Sequence, residues 1–431
     1  MMSSLLVRGG RKLTGRIEPS ANKNAVLPVL CATLLSEAPV TLRNVPEITD
    51  VVRIVDFFRE IGTSVDWDKA GKVLRIDHST VTPGKAVRLP QAMRASIMMI
   101  PGLLVRLGEV RLEHAVKGCT LGAREIDPHV AVFRAFGADV EQVNGEIAFR
   151  FTGNGEATRM WLEYASVTTT ENFILSALTV TGTSQIVNAA CEPHVQEMCD
   201  FLAACGATII GKGTSMVSVE GGKPLGGTDY TFDDDFHEIA TFLALAAVTG
   251  GDIAVRNGCP EHFDLIDRTF RKFGAEVVHE DGWSRMAAPE RLVVEENFTS
   301  HLITKVEAAP WPYIPADLLP IFIALGVRAR GQVMFWNKVY EGGLTWHTEL
   351  ALFGAHTLLC DPHRLITFGG DKLAPATVTS PYIIRVAIAL LMVASSIEGE
   401  STILDADPIR RAHPDFVKNF QSLGADVEWI D

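Results

Sequence analysis

The sequence predicts an α/β protein made of six copies of one helix-and-strand unit, grouped three to a domain. Three observations carry that prediction. First, a short punctuation recurs along the whole chain: Ile61-Gly62-Thr63, Phe136-Gly137-Ala138, Cys205-Gly206-Ala207, Phe273-Gly274-Ala275, Phe353-Gly354-Ala355 and Leu423-Gly424-Ala425, with glycines 68 to 80 residues apart. Second, amphipathic segments precede these glycines, as in Val51, Ile54, Val55, Phe58 and Ile61, at helical spacing. Third, a short β-prone stretch lies upstream of each, and in most copies a second, more apolar helix lies before that.

Each element follows from its residues. The glycine stands where a helix C-cap is expected, and a strand such as Ala138 to Glu141 or Ala425 to Glu428 follows it. The other amphipathic helices are His129 to Phe136, His194 to Cys205, Phe263 to Phe273 and Phe416 to Leu423. The upstream strands are Val40 to Leu42, Glu109 to Leu112, Gln185 to Val187, Asp252 to Val255, Gln332 to Phe335 and Ser401 to Leu404. The apolar helices are Ala25 to Leu35, Ala95 to Leu107, Thr170 to Val180, Glu238 to Val248 and Ile383 to Ser396. One unit cannot bury both its faces alone, so units must pack on one another. Without long recurring insertions, two three-unit domains suit the chain better than a linear solenoid. The glycine-rich stretches Gly211-Lys212-Gly213, Gly221-Gly222-Lys223 and Gly226-Gly227 are the expected junction.

Composition narrows the function. The 431 residues carry a formal charge of −13, which argues against general affinity for nucleic acid or anionic membranes. An anionic substrate would need local basic groups working against that field. The seven cysteines match no zinc spacing and are odd in number, which favours a reduced, cytoplasmic setting. The apolar run Tyr382 to Ser396 contains Arg385 and is too short to span a membrane, so it reads as a buried helix. No dinucleotide fingerprint, P-loop, serine elbow or zinc-protease motif is present.

The candidate chemistry is basic and acidic rather than metallic. Gly118-Cys119-Thr120-Leu121-Gly122-Ala123-Arg124 places a thiol and a guanidinium in a flexible loop. A buried small cysteine beside a surface arginine is the alternative. Lys23 stands at the start of an apolar helix, near a helix N-terminus suited to anions, or as a solvated first-turn lysine. Arg94 and Arg385 open or interrupt apolar runs, where a charge must sit at the edge, be paired, or face a ligand. Arg410-Arg411 read by default as solvated. Asp317 precedes an apolar helix, where an N-cap role competes with that of a general base. Asp233, Asp234, Asp235 and Glu238 form an acidic cluster without metal-ligand spacing.

Several of these segments resemble one family. Ser20-Ala21-Asn22-Lys23-Asn24-Ala25-Val26-Leu27-Pro28, Met93-Arg94-Ala95-Ser96, the Gly118 to Arg124 loop with Ile126-Asp127-Pro128-His129, Ser166-Val167 with Thr170-Glu171-Asn172, and Asp317 are similar to the UDP-N-acetylglucosamine 1-carboxyvinyltransferase branch of the enolpyruvyl transferases. The resemblance runs from about Leu6 to the C-terminus. It implies a two-domain inverse α/β barrel of six βαβαββ-type units, three per domain. The first domain would span 20–230 and the second 1–19 plus 231–431, with the active site in the cleft between them.

The resemblance further implies transfer of the enolpyruvyl group of phosphoenolpyruvate to a hydroxyl of UDP-N-acetylglucosamine, with release of phosphate, as the first step of peptidoglycan precursor synthesis. No metal or cofactor is implied. Asp317 would be the acceptor base, and Cys119 the loop acid that epoxide antibiotics of the fosfomycin type alkylate. Lys23, Arg94, Arg124, Arg385 and Arg411 would bind phosphoenolpyruvate, with Lys23 also catalytic. Asn24, Asp127, His129, Ser166, Val167, Thr168 and Asp317 would contact the acceptor. The chain departs from the family pattern at Glu125 (usually proline), Tyr164 (usually lysine), Thr168 (usually glycine), Glu341-Gly342-Gly343 (usually Glu-Asn-Arg) and Arg410 (usually aspartate). Those departures motivate two alternatives: a sister transferase acting on another nucleotide such as UMP in nucleoside-antibiotic biosynthesis, and an inactive nucleotide-binding paralogue.

Overall fold

The computed structural model describes residues 3–82, 84, 86–91, 93–113, 125–299 and 301–430. Within them lie six four-stranded sheets, each with the same internal order. In the second unit, Val87–Arg88 pairs in parallel with Glu109–Glu113, which runs antiparallel to Glu146–Phe151, and Ala138–Val143 completes the sheet as a hairpin arm. Parallel neighbours require a crossover, and the apolar helix supplies it. The amphipathic helix then leads from the central strand into the hairpin.

Three of the six sheets are completed by strands from far along the chain. Val40–Arg43 takes its parallel neighbour from Asp229–Thr231. Ser4–Gly9 lies between Gly399–Leu404 and Asp426–Ile430, antiparallel to both. Thr14–Ile17 serves as the parallel edge beside Asp252–Arg256.

The apolar helices form the interior because they have no polar face to offer water. In Phe236–Thr249 every residue but the last is buried, and in Ile384–Ser395 every residue from Arg385 onward. The sheets lie outside them, with burial alternating along strands such as Asp252–Arg256. Helices inside and sheets outside make an inverse α/β barrel.

The chain separates into two compact units, residues 3–20 with 234–430 and residues 21–113 with 125–233. Each has its own hydrophobic core. One surrounds Phe236–Thr249, Leu319–Arg328 and Ile384–Ser395, the other Lys23–Thr33, Ile100–Leu107 and Val167–Ala177.

The recurring glycines end helices for a physical reason. Gly62, Gly137, Gly206, Gly274, Gly354 and Gly424 all have φ between +71° and +100°, the left-handed conformation that closes a helix and turns the chain into the next strand. Two apolar helices begin differently from the sequence pattern. Arg94–Met99 and Ala316–Leu318 are 3-10 turns before the α-helices Ile100–Leu107 and Leu319–Arg328. Pro101 and Pro320 lack the N–H that would extend an α-helix backward, so the chain tightens instead.

The glycine-rich stretches are internal to one unit, which corrects their assignment as a junction. Gly211 and Gly213 shape the turn between Thr208–Ile210 and Met216–Gly221. A Cβ on Gly221 would lie 1.9 Å from the Ala177 carbonyl oxygen, and one on Gly227 would lie 2.0 Å from that of Pro39. Close packing, not a hinge, demands glycine there. Among the described residues no helix is long and apolar enough to cross a membrane.

Candidate functional site

In the unit containing the C-terminus, the starts of three interior helices meet. Asp235 caps Phe236–Thr249, its carboxylate accepting the His237 N–H at 2.9 Å. Asp235 also faces His237 Nδ1 at 3.2 Å and Arg385 Nη2 at 3.9 Å. Burial alone would raise the Asp235 pKa. The His237 hydrogen bond and the charges of His237, Arg385 and His413 outweigh it and hold the group well below the usual carboxylate range.

Arg385, the second residue of Ile384–Ser395, is 9% exposed. Its Nη1 is buried and makes no hydrogen bond among the described residues. An unsatisfied buried donor on a charged group is costly, so an incoming anion gains from satisfying it. Arg385 lines a pocket of about 360 Å³ together with Asp317, Asn337, Tyr340, Gly343 and Leu344.

Asp317 faces this pocket because it does not cap. Neither the Ala316–Leu318 turn nor the Leu319–Arg328 helix has a side-chain cap hydrogen bond. Pro320 removes one of the N–H groups a cap would serve, so the capping role expected for Asp317 gives way. Opposite it, Asn337 Oδ1 accepts the N–H groups of Val339 and Tyr340, each at 3.0 Å. A Cβ on Gly343 would lie 2.4 Å from Asn337 Nδ2, so the turn admits only glycine without displacing that amide.

The acidic cluster of the sequence is absorbed by neighbours. Arg256 clamps Asp234 at 2.8 Å, and Glu238 Oε2 accepts the Ser20 N–H at 3.1 Å. His413 Nδ1 lies 3.5 Å from the same Glu238 oxygen. Arg411 is exposed at the end of Asp407–Ala412. Arg410 is not simply solvated: its guanidinium lies over the Trp429 ring at 3.8 Å.

In the other unit the candidates again gather at helix starts. Asn22 caps Lys23–Thr33 by accepting the Asn24 N–H at 3.1 Å. Lys23 Nζ lies 3.6 Å from Asp50 Oδ2, and both side chains are largely shielded. Arg94 opens its 3-10 turn. His129, in Asp127–Ala135, is buried with Nδ1 2.8 Å from Asn172 Nδ2 and Nε2 3.4 Å from Thr168 Oγ1. Burial, reinforced by the Arg94 charge, pushes the His129 pKa down to about 3, so the ring is neutral.

Ser166 caps Val167–Ala177 and accepts the Thr169 hydroxyl at 2.8 Å. His129 and Thr168 are thus brought together directly, with Ser166 and Val167 at the same helix start and Asp127 exposed on the first turn of the His129 helix. Cys119 and Arg124 lie outside the described residues.

A cation at the N-terminal end of a helix opposes the helix dipole. Lys23, Arg94 and Arg385 all stand at such ends, an arrangement that an anionic ligand relieves. Asp50, Asn337 and Tyr340 escaped the sequence reading. Each is an ordinary polar residue in local context, and only the folded chain reveals its partner.

Cations thus stand at the starts of interior helices in each unit, and in one of them a carboxylate that does not cap its helix lines the Arg385 pocket. The sequence profile of the family described as EPSP synthase (3-phosphoshikimate 1-carboxyvinyltransferase) matches residues 7–420. A UDP-N-acetylglucosamine 1-carboxyvinyltransferase of Bradyrhizobium diazoefficiens is 36% identical over 430 residues, covering 99% of this chain and 97% of that protein. One from Bacteroides thetaiotaomicron is 33% identical over the full length of both. The fold is that of the enolpyruvyl transferase NikO from Streptomyces tendae (TM-score 0.87, 19% identity, 100% of this chain and 99% of that one). An EPSP synthase from Acinetobacter baumannii shares it at a TM-score of 0.81, with 17% identity over the whole of both chains. The chain belongs to the EPSP synthase family of enolpyruvyl (1-carboxyvinyl) transferases.

Proposed function

We propose that the enzyme transfers the enolpyruvyl group of phosphoenolpyruvate to a hydroxyl of UDP-N-acetylglucosamine and releases phosphate, committing the sugar nucleotide to peptidoglycan precursor synthesis. The observation that carries this reading is identity of 36% and 33%, over nearly whole chains, to proteins that bear that activity in their names. The pocket shared by Asp317 and Arg385 supports it.

In this reading Asp317 takes the proton of the acceptor hydroxyl as its oxygen adds to C2 of phosphoenolpyruvate, while Cys119 protonates the methylene carbon. The tetrahedral adduct then loses a proton from the new methyl group and expels phosphate, which restores the double bond. Lys23, Arg94, Arg124, Arg385 and Arg411 hold the phosphate and carboxylate of phosphoenolpyruvate. Asn24, Asp127, His129, Ser166, Val167 and Thr168 contact the acceptor. The neutral His129 suits such a contact, because it offers a hydrogen bond without a charge.

A second reading, a different nucleotide acceptor such as UMP, is favoured by one observation. Tyr164 is half-exposed where the family usually carries a lysine, so a charge that would face a diphosphate is replaced by a phenol. Phosphate release measured with UDP-N-acetylglucosamine, with UMP and without acceptor separates the readings. Release with the sugar nucleotide alone is expected. Release with UMP alone would favour the second reading, and release with neither would leave the inactive-paralogue alternative standing.

A further inference from the structure

We propose that the turn Cys259-Pro260-Glu261-His262 is a binding site for a thiophilic divalent cation of the zinc class. The Cys259 thiol, a Glu261 carboxylate oxygen and a His262 ring nitrogen all lie within 4.8 Å of one another. Acidic residues alone would suit calcium or magnesium, but a thiolate with an imidazole selects zinc and its soft neighbours.

The turn is held in shape by the residues around it. Asn257 is buried, donates its side-chain N–H to Ser284 Oγ at 2.8 Å and accepts the Cys259 N–H at 3.0 Å. The His262 N–H donates to the Cys259 carbonyl at 3.2 Å, closing the short 3-10 helix Pro260–Phe263. The imidazole is also flanked by rings, with centroids 6.1 Å from Trp311 and 6.3 Å from Phe236. Phe236 and Trp311, themselves 6.0 Å apart, pack together against one side of the imidazole and restrict its rotamer, so less order has to be imposed when a cation arrives.

Charge points the same way. Thiolate and carboxylate together supply two negative charges for a dication, on a protein whose net charge is −13. Cys259 and His262 are half-buried and Glu261 is exposed, and three protein donors leave a fourth zinc position for water. The other three-donor group among the described residues, Asp235, Glu238 and His413, is fully buried and already faces Arg385 and the Ser20 N–H, which offset its charge.

The test is a cobalt titration of the reduced, chelator-treated full-length protein, followed by zinc competition. We expect one equivalent of Co²⁺ to produce a thiolate-to-metal charge-transfer band that Zn²⁺ then bleaches. Cys259→Ser should abolish the band, and Cys360→Ser, at an exposed cysteine elsewhere, should leave it intact. Glu261→Gln and His262→Ala should each raise the dissociation constant about 10-fold or more. The proposal is overturned if the wild-type protein shows no such band, or if the band survives undiminished in Cys259→Ser. Neither result bears on enolpyruvyl transfer, which the phosphate-release assay reads separately.

Discussion

At the scale of single residues, the feature that stands out is a carboxylate that does not cap the helix it precedes. Asp317 could have capped its helix, yet that helix starts without a side-chain cap and the residue lines the Arg385 pocket. If it is the acceptor base, Asp317→Asn should lower kcat about 100- to 10,000-fold while phosphoenolpyruvate still binds. Steady-state kinetics beside calorimetric titration of phosphoenolpyruvate would check this, and retained turnover would remove Asp317 from the mechanism.

Two buried histidines make a second residue-scale prediction. His129 and His78 are both held neutral, chiefly by burial, with pKa values near 3. His78 sits between Thr33 Oγ1 at 3.0 Å and Thr63 Oγ1 at 2.9 Å. In the unfolded chain each imidazole takes up a proton near pH 6.5, while in the folded protein it does not. Stability is therefore full above pH 6.5 and declines as pH falls toward 3, by about 1.4 kcal/mol per histidine per pH unit. Urea midpoints between pH 7.5 and 5 should show that decline, and His78→Asn should reduce its slope by about half.

At the scale of elements, the six helix starts are where this protein concentrates its polar chemistry. The apolar helices were legible in the sequence because they lack a polar face, and the capping glycines because they recur. The chemistry at the helix starts was legible only in part. Lys23, Arg94 and Arg385 stand out as charges beside apolar runs, but nothing local in Asp50 or Asn172 announces a partner many residues away. Nor did the sequence show that prolines would convert two helix starts to 3-10 turns and release Asp317 from capping. The Asn337–Gly343 turn is the element most exposed to test. Gly343→Ala would force a Cβ against the Asn337 amide and disturb the bonds it makes to Val339 and Tyr340. A loss of about 1–3 kcal/mol is expected from such overpacking, together with a raised KM for substrate. An unchanged urea midpoint and KM would show that the turn yields freely.

At the scale of the whole molecule, the repeat leaves its two ends open, and strands from far along the chain close them. Periodicity gives little hint of this, because Ser4–Gly9 is short and its partners lie at the opposite end of the sequence. Its place is central, not peripheral. Leu5 is fully buried and sits opposite both Ile403 and Trp429, so it holds the first strand to the last two. Arg8 stands on the same strand but reaches out to Glu400, Asp426 and Glu428 on the surface. Coulomb attraction in that exposed cluster is screened by water and salt, whereas a charge placed at Leu5 would be stranded in the core. Leu5→Asp should therefore destabilise the unit of residues 3–20 and 234–430 by an amount on the order of 4 kcal/mol. Arg8→Ala should leave its unfolding midpoint nearly unmoved. Reversed sensitivities in chemical denaturation would mean that ion pairs, rather than burial, secure the N-terminal strand.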